Sequence, residues 1–148
     1  MDDLQKYVLN QPLPTEAFFT LVETTAKLVA VSEKYWQSKG LNGARIRILV
    51  EIAKQGGSIL PSELASIIGV TKANISLLLT PIEKDGYISR ASDAADGRKT
   101  VISLTGKGEA LLEEHLPENR QGVGERMQRL EPQEIHQLMG LLRKLTRE

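Results

Sequence analysis

Four consecutive residues, Asp96-Gly97-Arg98-Lys99, set an acid, a turn-former and two cations between the β-type runs "YISRAS" and "KTVISLT". Such a set can hold a positive charge at the tip of a hairpin. The negative potential of a minor groove attracts a guanidinium. Gly97 lets the tip turn, and the Asp96 carboxylate can pair with Arg98 and fix its direction. On its own the loop reads better as a solvated turn whose ion pair contributes little.

A second group stands upstream. "IIGVTKANIS" reads as two short helices joined by a tight, Gly-bearing turn, the spacing of a helix-turn-helix. With Thr71 as N-cap, the second helix turns Ile75, Leu78, Leu79 and Ile82 inward. Its outer face is Lys72, Ala73, Ser76, Leu77, Thr80 and Lys84, with Asn74 near the start. In this motif the second helix enters the major groove. Small and hydroxyl side chains allow close approach to base edges, Asn can pair with adenine, and Leu77 can meet a thymine methyl. The plainer reading is a buried helical hairpin with a polar outer face. The hairpin that follows directly tips the balance toward double-stranded DNA.

Other chemistries find little support. The chain has no cysteine, which excludes disulfides, thiolate zinc sites and cysteine redox switches. The two histidines, His115 and His136, stand apart, without the spacing of a metal-binding pair. No nucleophile motif is present. Neither an enzyme nor a metal or cofactor protein is expected. Nineteen basic residues against nineteen acidic ones give a formal net charge of zero, which argues mildly against nucleic acid. No apolar run reaches membrane-spanning length, and the acidic N-terminus lacks signal-peptide character. A cytoplasmic protein with no membrane partner is expected.

The elements that must position these groups can be read from periodicity. Residues 1 to 14 read as a short arm. Phe18, Leu21, Val22, Thr25, Leu28, Val29, Ser32 and Tyr35/Trp36 form one stripe of a long helix opening at Thr15 and stopping at Gly40. A helix from Asn42 to about Gln55 follows, then a scrap of strand at 58–60. "PSELASIIG" turns Leu64, Ala65, Ile67 and Ile68 inward. After Gly86 the period drops to two, as in a hairpin. Thr105 caps a helix to about Leu116, interrupted by Pro117. A last helix carries Ile135, Leu138, Met139, Leu141, Leu142 and Leu145. The fold class is therefore mainly α with a small β-wing: a winged helix-turn-helix at 42–105, with long terminal helices at 15–39 and 106–148, in one chain of residues 1–148.

The sequence resembles the MarR family of winged-helix transcriptional regulators from about Thr15 to Thr146. The residues that carry the resemblance are "SELASIIGVTKANISLLLTPIEKDGYISR", the wing Asp96-Gly97-Arg98 leading into "VISLT", and "GKGEALL" after it. The resemblance implies a homodimer with interlocked terminal helices, a palindromic operator, and in many members release by a small ligand. Recognition helices of the family commonly carry Arg at one or two exposed positions; here those positions hold Leu77 and Pro81. The apolar stripes on the terminal helices also read as a dimer interface, since a small winged domain has little to cover them. A small aromatic effector is expected where the terminal helices meet the winged domain, near Tyr35, Trp36 and Arg47. The alternative function is a protein-interaction winged helix with weak or no DNA binding, motivated by the zero net charge and the neutral Leu77 and Pro81.

Overall fold

The computed structural model describes residues 1–92, 95 and 97–147. The order is α1 (Asp2–Leu9), α2 (Leu13–Ser38), α3 (Gly43–Lys54), β1 (Ser58–Ile59), α4 (Pro61–Ile68), α5 (Lys72–Lys84), β2 (Ile88–Ser92), β3 (Thr100–Leu104), α6 (Gly106–Met127) and α7 (Pro132–Thr146). The fold is mainly helical with a small antiparallel wing and long terminal helices.

Local chemistry sets most boundaries. The Asn42 side chain accepts from the Ala44 and Arg45 amides and starts α3. Thr71 and Thr105 do the same for α5 and α6, accepting from Asn74 and Gly108. Glu131 and Glu134 close a reciprocal capping box on α7. Pro61 opens α4, where its missing N–H costs little. α4 ends at Gly69, whose φ of 85° is one that only glycine adopts without strain.

Among the described residues, fourteen apolar side chains make the core. Leu49 and Ile52 of α3, Leu64 of α4, Ile75, Leu79 and Ile82 of α5, and Ile102 of β3 are essentially sealed. Each such side chain contributes about 1.5–3 kcal/mol by leaving water. Trp36 at the end of α2 and Leu112 of α6 join this core and attach the terminal helices to it.

Several expectations change. The arm at 1–14 contains a helix, α1, whose residues are nearly all exposed, and α2 opens at Leu13 rather than Thr15. The scrap of strand pairs with β3 through Ser58↔Ser103 and Ile59↔Ile102, so the wing has three strands in the order β1-β3-β2. A two-residue strand carries too little pattern to be paired from sequence. Leu78 and Ile67 are exposed to more than a third, not turned inward. Each lies at the edge of its helix's apolar stripe, beyond the reach of the facing helix.

α6 runs through Pro117 instead of breaking there. The proline withholds a donor from the Glu113 carbonyl, but both residues are exposed and water can take that carbonyl. α5 likewise continues through Pro81.

The terminal helices are different. Phe18, Phe19, Val22 and Val29 of α2 and Leu141 and Leu145 of α7 are exposed, Leu145 to 72%. The chain exposes 11014 Å², whereas a compact monomer of its mass exposes roughly 7,500 Å². Among the described residues, no single helix is long and apolar enough to cross a membrane.

Candidate nucleic-acid interface

α4 and α5 are two short helices whose axes turn through 102° across a three-residue connection, Gly69 to Thr71. That is the helix-turn-helix angle. Leu64 and Ala65 of α4 lie in the core with Ile75, Leu79 and Ile82 of α5, so the angle is set by a shared apolar seam. The outer face of α5 is consequently turned to solvent. Thr71, Lys72, Ala73, Asn74, Ser76, Leu77, Thr80 and Lys84 are all exposed.

The far end of α5 is tied down. The Thr105 hydroxyl donates to the Gly86 carbonyl at 2.6 Å, and the Lys107 ammonium donates to the Asp85 carbonyl at 2.7 Å. A cation at these last carbonyls is favoured by the helix dipole. The same ammonium lies 4.8 Å from the centre of the Tyr87 ring. Gly108 allows the approach, because a Cβ there would strike the Tyr87 carbonyl. Arg45 at the start of α3 reaches the Asp85 carboxylate at 3.3 Å.

Arg90 of β2 joins the hairpin to the helix. Its guanidinium reaches Glu83 at 3.2 Å and donates to the Thr80 hydroxyl at 3.4 Å. The Thr80 hydroxyl in turn donates to the Ser76 carbonyl at 2.9 Å. These partners decide how the zero net charge is spent. Glu83 and Asp85 pair with Arg90 and Arg45 at the solvent-accessible end of α5, and Lys72, Lys84, Arg98 and Lys99 are exposed as well. Glu63 lies in the first turn of α4, where an acid suits the dipole.

The sequence singled out neither Arg90 nor Lys107. Their roles depend on how the hairpin and α6 dock against α5, which no local pattern encodes. Arg98 and Lys99 sit at the hairpin tip, beyond the last paired residues Ser92↔Thr100. Asp96 lies outside the described residues.

Of the residues expected near an effector, Tyr35 and Trp36 fall at the junction of α2, α3 and α6, and Arg47 is not brought together with them. Trp36 is buried, its indole N–H donating to the Ser32 hydroxyl, which also accepts from Asn119 of α6. Tyr35 packs edge-on against Trp36, with its hydroxyl 3.2 Å from Glu118, 3.3 Å from the His115 carbonyl and 3.4 Å from His115 Nδ1. A phenol has one proton, and the charged Glu118 carboxylate is its nearest acceptor. Partial desolvation, together with the Glu118 and Glu114 charges, raises the Tyr35 pKa above its ordinary value of 10.0. Arg47 is exposed on α3. Among the described residues no group of acids and histidines could hold a metal ion.

Residues 39–99 match the MarR family. The transcriptional repressor MprA of Escherichia coli is 31% identical over 121 residues, covering 81% of this chain and 69% of that protein. The chain belongs to the MarR family of transcriptional regulators. The repressor YetL of Bacillus subtilis is 37% identical over 103 residues, 69% of this chain and 62% of YetL, so the match spans less than two thirds of that relative. Among solved structures, BpsR of Bordetella bronchiseptica superimposes with a TM-score of 0.81 at 22% identity, covering 93% of this chain and 98% of BpsR. That likeness is one of fold. The BpsR structure is described as a mechanism for regulation of DNA binding by 6-hydroxynicotinic acid. In this MarR-family chain the helix-turn-helix and most of the wing lie inside the matched segment, and α6 and α7 lie outside it.

Proposed function

We propose that this chain is a homodimeric repressor that binds an inverted repeat in double-stranded DNA, one recognition helix per half-site. The observation that carries the reading is the outer face of α5. It is turned to solvent by the buried apolar seam beneath it and flanked by exposed cations, while the neighbouring acids Glu83 and Asp85 are each paired with an arginine of the same domain. Thr71, Lys72, Ala73, Asn74, Ser76, Leu77, Thr80 and Lys84 form the major-groove surface, and Arg98 and Lys99 the wing contact, with Asp96 orienting Arg98. The dimer is supported by the exposed apolar faces of α2 and α7 and by surface far beyond that of a compact monomer. Two-fold symmetry places the two recognition helices about one DNA turn apart, on the order of 10 base pairs.

Salt dependence tests the reading. The slope of log affinity against log salt should be steep for the wild type and fall by roughly 0.9 per chain in Arg98→Ala, if the guanidinium displaces one counterion. Asp96→Ala should do less, since the charge remains. Salt-independent, weak duplex binding by the wild type would move the protein to the alternative reading, a protein-interaction winged helix. The exposed Leu77 is the observation that favours that alternative.

An aromatic effector is proposed as well, acting at the α2–α3–α6 junction around Tyr35, Trp36 and Arg47. Its support is the aromatic cluster there and the regulation described for BpsR. Trp36 is the sole tryptophan, so a ligand that releases DNA from this site should change its fluorescence. Release with no fluorescence change would place the effector elsewhere.

A further inference from the structure

A single exposed leucine is ordinary on a protein surface, but Leu77 stands where three observations give it a task. It is 73% exposed, while the other large apolar residues of α5, apart from Leu78 at its edge, are sealed in the core. It lies on the outer face in the N-terminal half of the helix, the part that contacts base edges in this motif. Its neighbours one turn either way are Ala73 and Pro81, so the outer face carries an apolar ridge, Ala73-Leu77-Pro81, at four-residue spacing.

The second observation concerns the row beside it, Lys72-Ser76-Thr80. The Thr80 hydroxyl gives its proton to the Ser76 carbonyl and accepts from Arg90. Arg90 is held by Glu83. The Thr80 hydroxyl and the Arg90 guanidinium are therefore already engaged within the domain. The third is the placing of the charges. Lys72 opens the helix and Lys84 closes it, which suits phosphates on either rim of a groove and leaves the centre without a cation.

We infer that Leu77 reads the C5 methyl group of a thymine in the major groove, making a methyl-bearing base pair the specificity determinant at the centre of each half-site. The inference rests on the DNA-binding reading above. The major-groove edge of a base pair offers one apolar group, the thymine methyl. Opposite a G·C pair, the same isobutyl group would desolvate O6, N7 or N4 and supply no hydrogen bond in return. Attraction to one pair and exclusion of the other thus act in the same direction. 5-Methylcytosine carries the same methyl beside a different hydrogen-bonding group, so the two sources can be told apart.

The experiment uses the full chain and the duplex it retains from a random pool at low salt. Each thymine of that duplex is replaced in turn by deoxyuridine, which deletes the methyl and keeps every hydrogen-bonding group. One thymine per half-site should be sensitive. Its loss should weaken wild-type binding about fourfold, or on the order of fifteenfold when both half-sites are changed. Leu77→Ala should bind the two duplexes equally, and this comparison cancels any change in DNA stiffness. Leu77 is exposed, so the variant keeps its fold, which circular dichroism verifies. Tight duplex binding that ignores every deoxyuridine replacement would overturn the inference and leave the DNA-binding reading standing. A pool that yields no retained duplex would overturn both. Tighter binding of 5-methylcytosine than of thymine at the sensitive position would overturn the assignment to thymine.

Discussion

The winged domain and the terminal helices are built from similar apolar residues and treat them in opposite ways. Around α3, α4, α5 and β3 the large aliphatic side chains meet one another and exclude water almost completely. Along the first half of α2 and on one side of α7, at Met139, Leu141 and Leu145, they face outward, while Ile135, Leu138 and Leu142 are half-buried. A short helix can be covered from several directions by its neighbours, whereas a 26-residue helix extends beyond anything the domain can put against it. Self-sufficiency and incompleteness thus coexist in one chain. The part that carries the proposed reading surface is covered within the chain, with help from Trp36 and Leu112 of the terminal helices, and the part left uncovered is the part that the proposed dimer would cover.

The most drastic way to test this contrast is to charge the uncovered region. Leu138→Asp with Leu142→Asp should convert a sedimenting dimer to monomer or to unfolded chain. A wild-type protein that sediments as a monomer at micromolar concentration would remove the basis of the comparison. Cutting into the sealed region should act differently. Leu79→Ala should cost about 2–5 kcal/mol of unfolding free energy by leaving a cavity. Leu141→Ala should cost less, and mainly by making the melting temperature depend more strongly on protein concentration. If the two variants gave the same concentration dependence, the regions would not be energetically distinct.

The smallest effect is expected where the two regions meet. Because the folded state raises the Tyr35 pKa, it holds the phenolic proton more tightly than the unfolded chain does. This contribution is fully present below pH 10 and is lost as pH rises through the higher folded-state value. Tyr35→Phe should therefore flatten part of the alkaline loss of stability, read from urea midpoints at pH 9 and pH 11. An unchanged alkaline limb would show that the other tyrosines and the lysines account for it.

The sequence was most readable where a single residue does a local job. Asn42, Thr71 and Thr105 cap the helices they were expected to cap, and Gly69 and Gly86 take the left-handed turns that end α4 and follow α5. It was least readable where the outcome depends on distant partners. Nothing near Ser58 announces that it will pair with Ser103, and nothing near Arg90 announces that it will occupy Thr80. Pro117 misled for a related reason. Its cost depends on whether the stranded carbonyl can reach water, and that is a property of the surface rather than of the local sequence. The MarR-like order of elements was legible because it is a pattern of caps, turns and periods, all of them local.

The lashing of α5 to the first turn of α6 has a geometric consequence. Thr105, Lys107 and Gly108 leave the end of the recognition helix almost no freedom to swing by itself. It must travel with α6, and α6 lies along α2. If two chains pair through α2 and α7 as proposed, the two reading helices would be the tips of a caliper pivoting at that pairing. A tilt of a few degrees at that pivot would change the span without altering a single residue of the reading face.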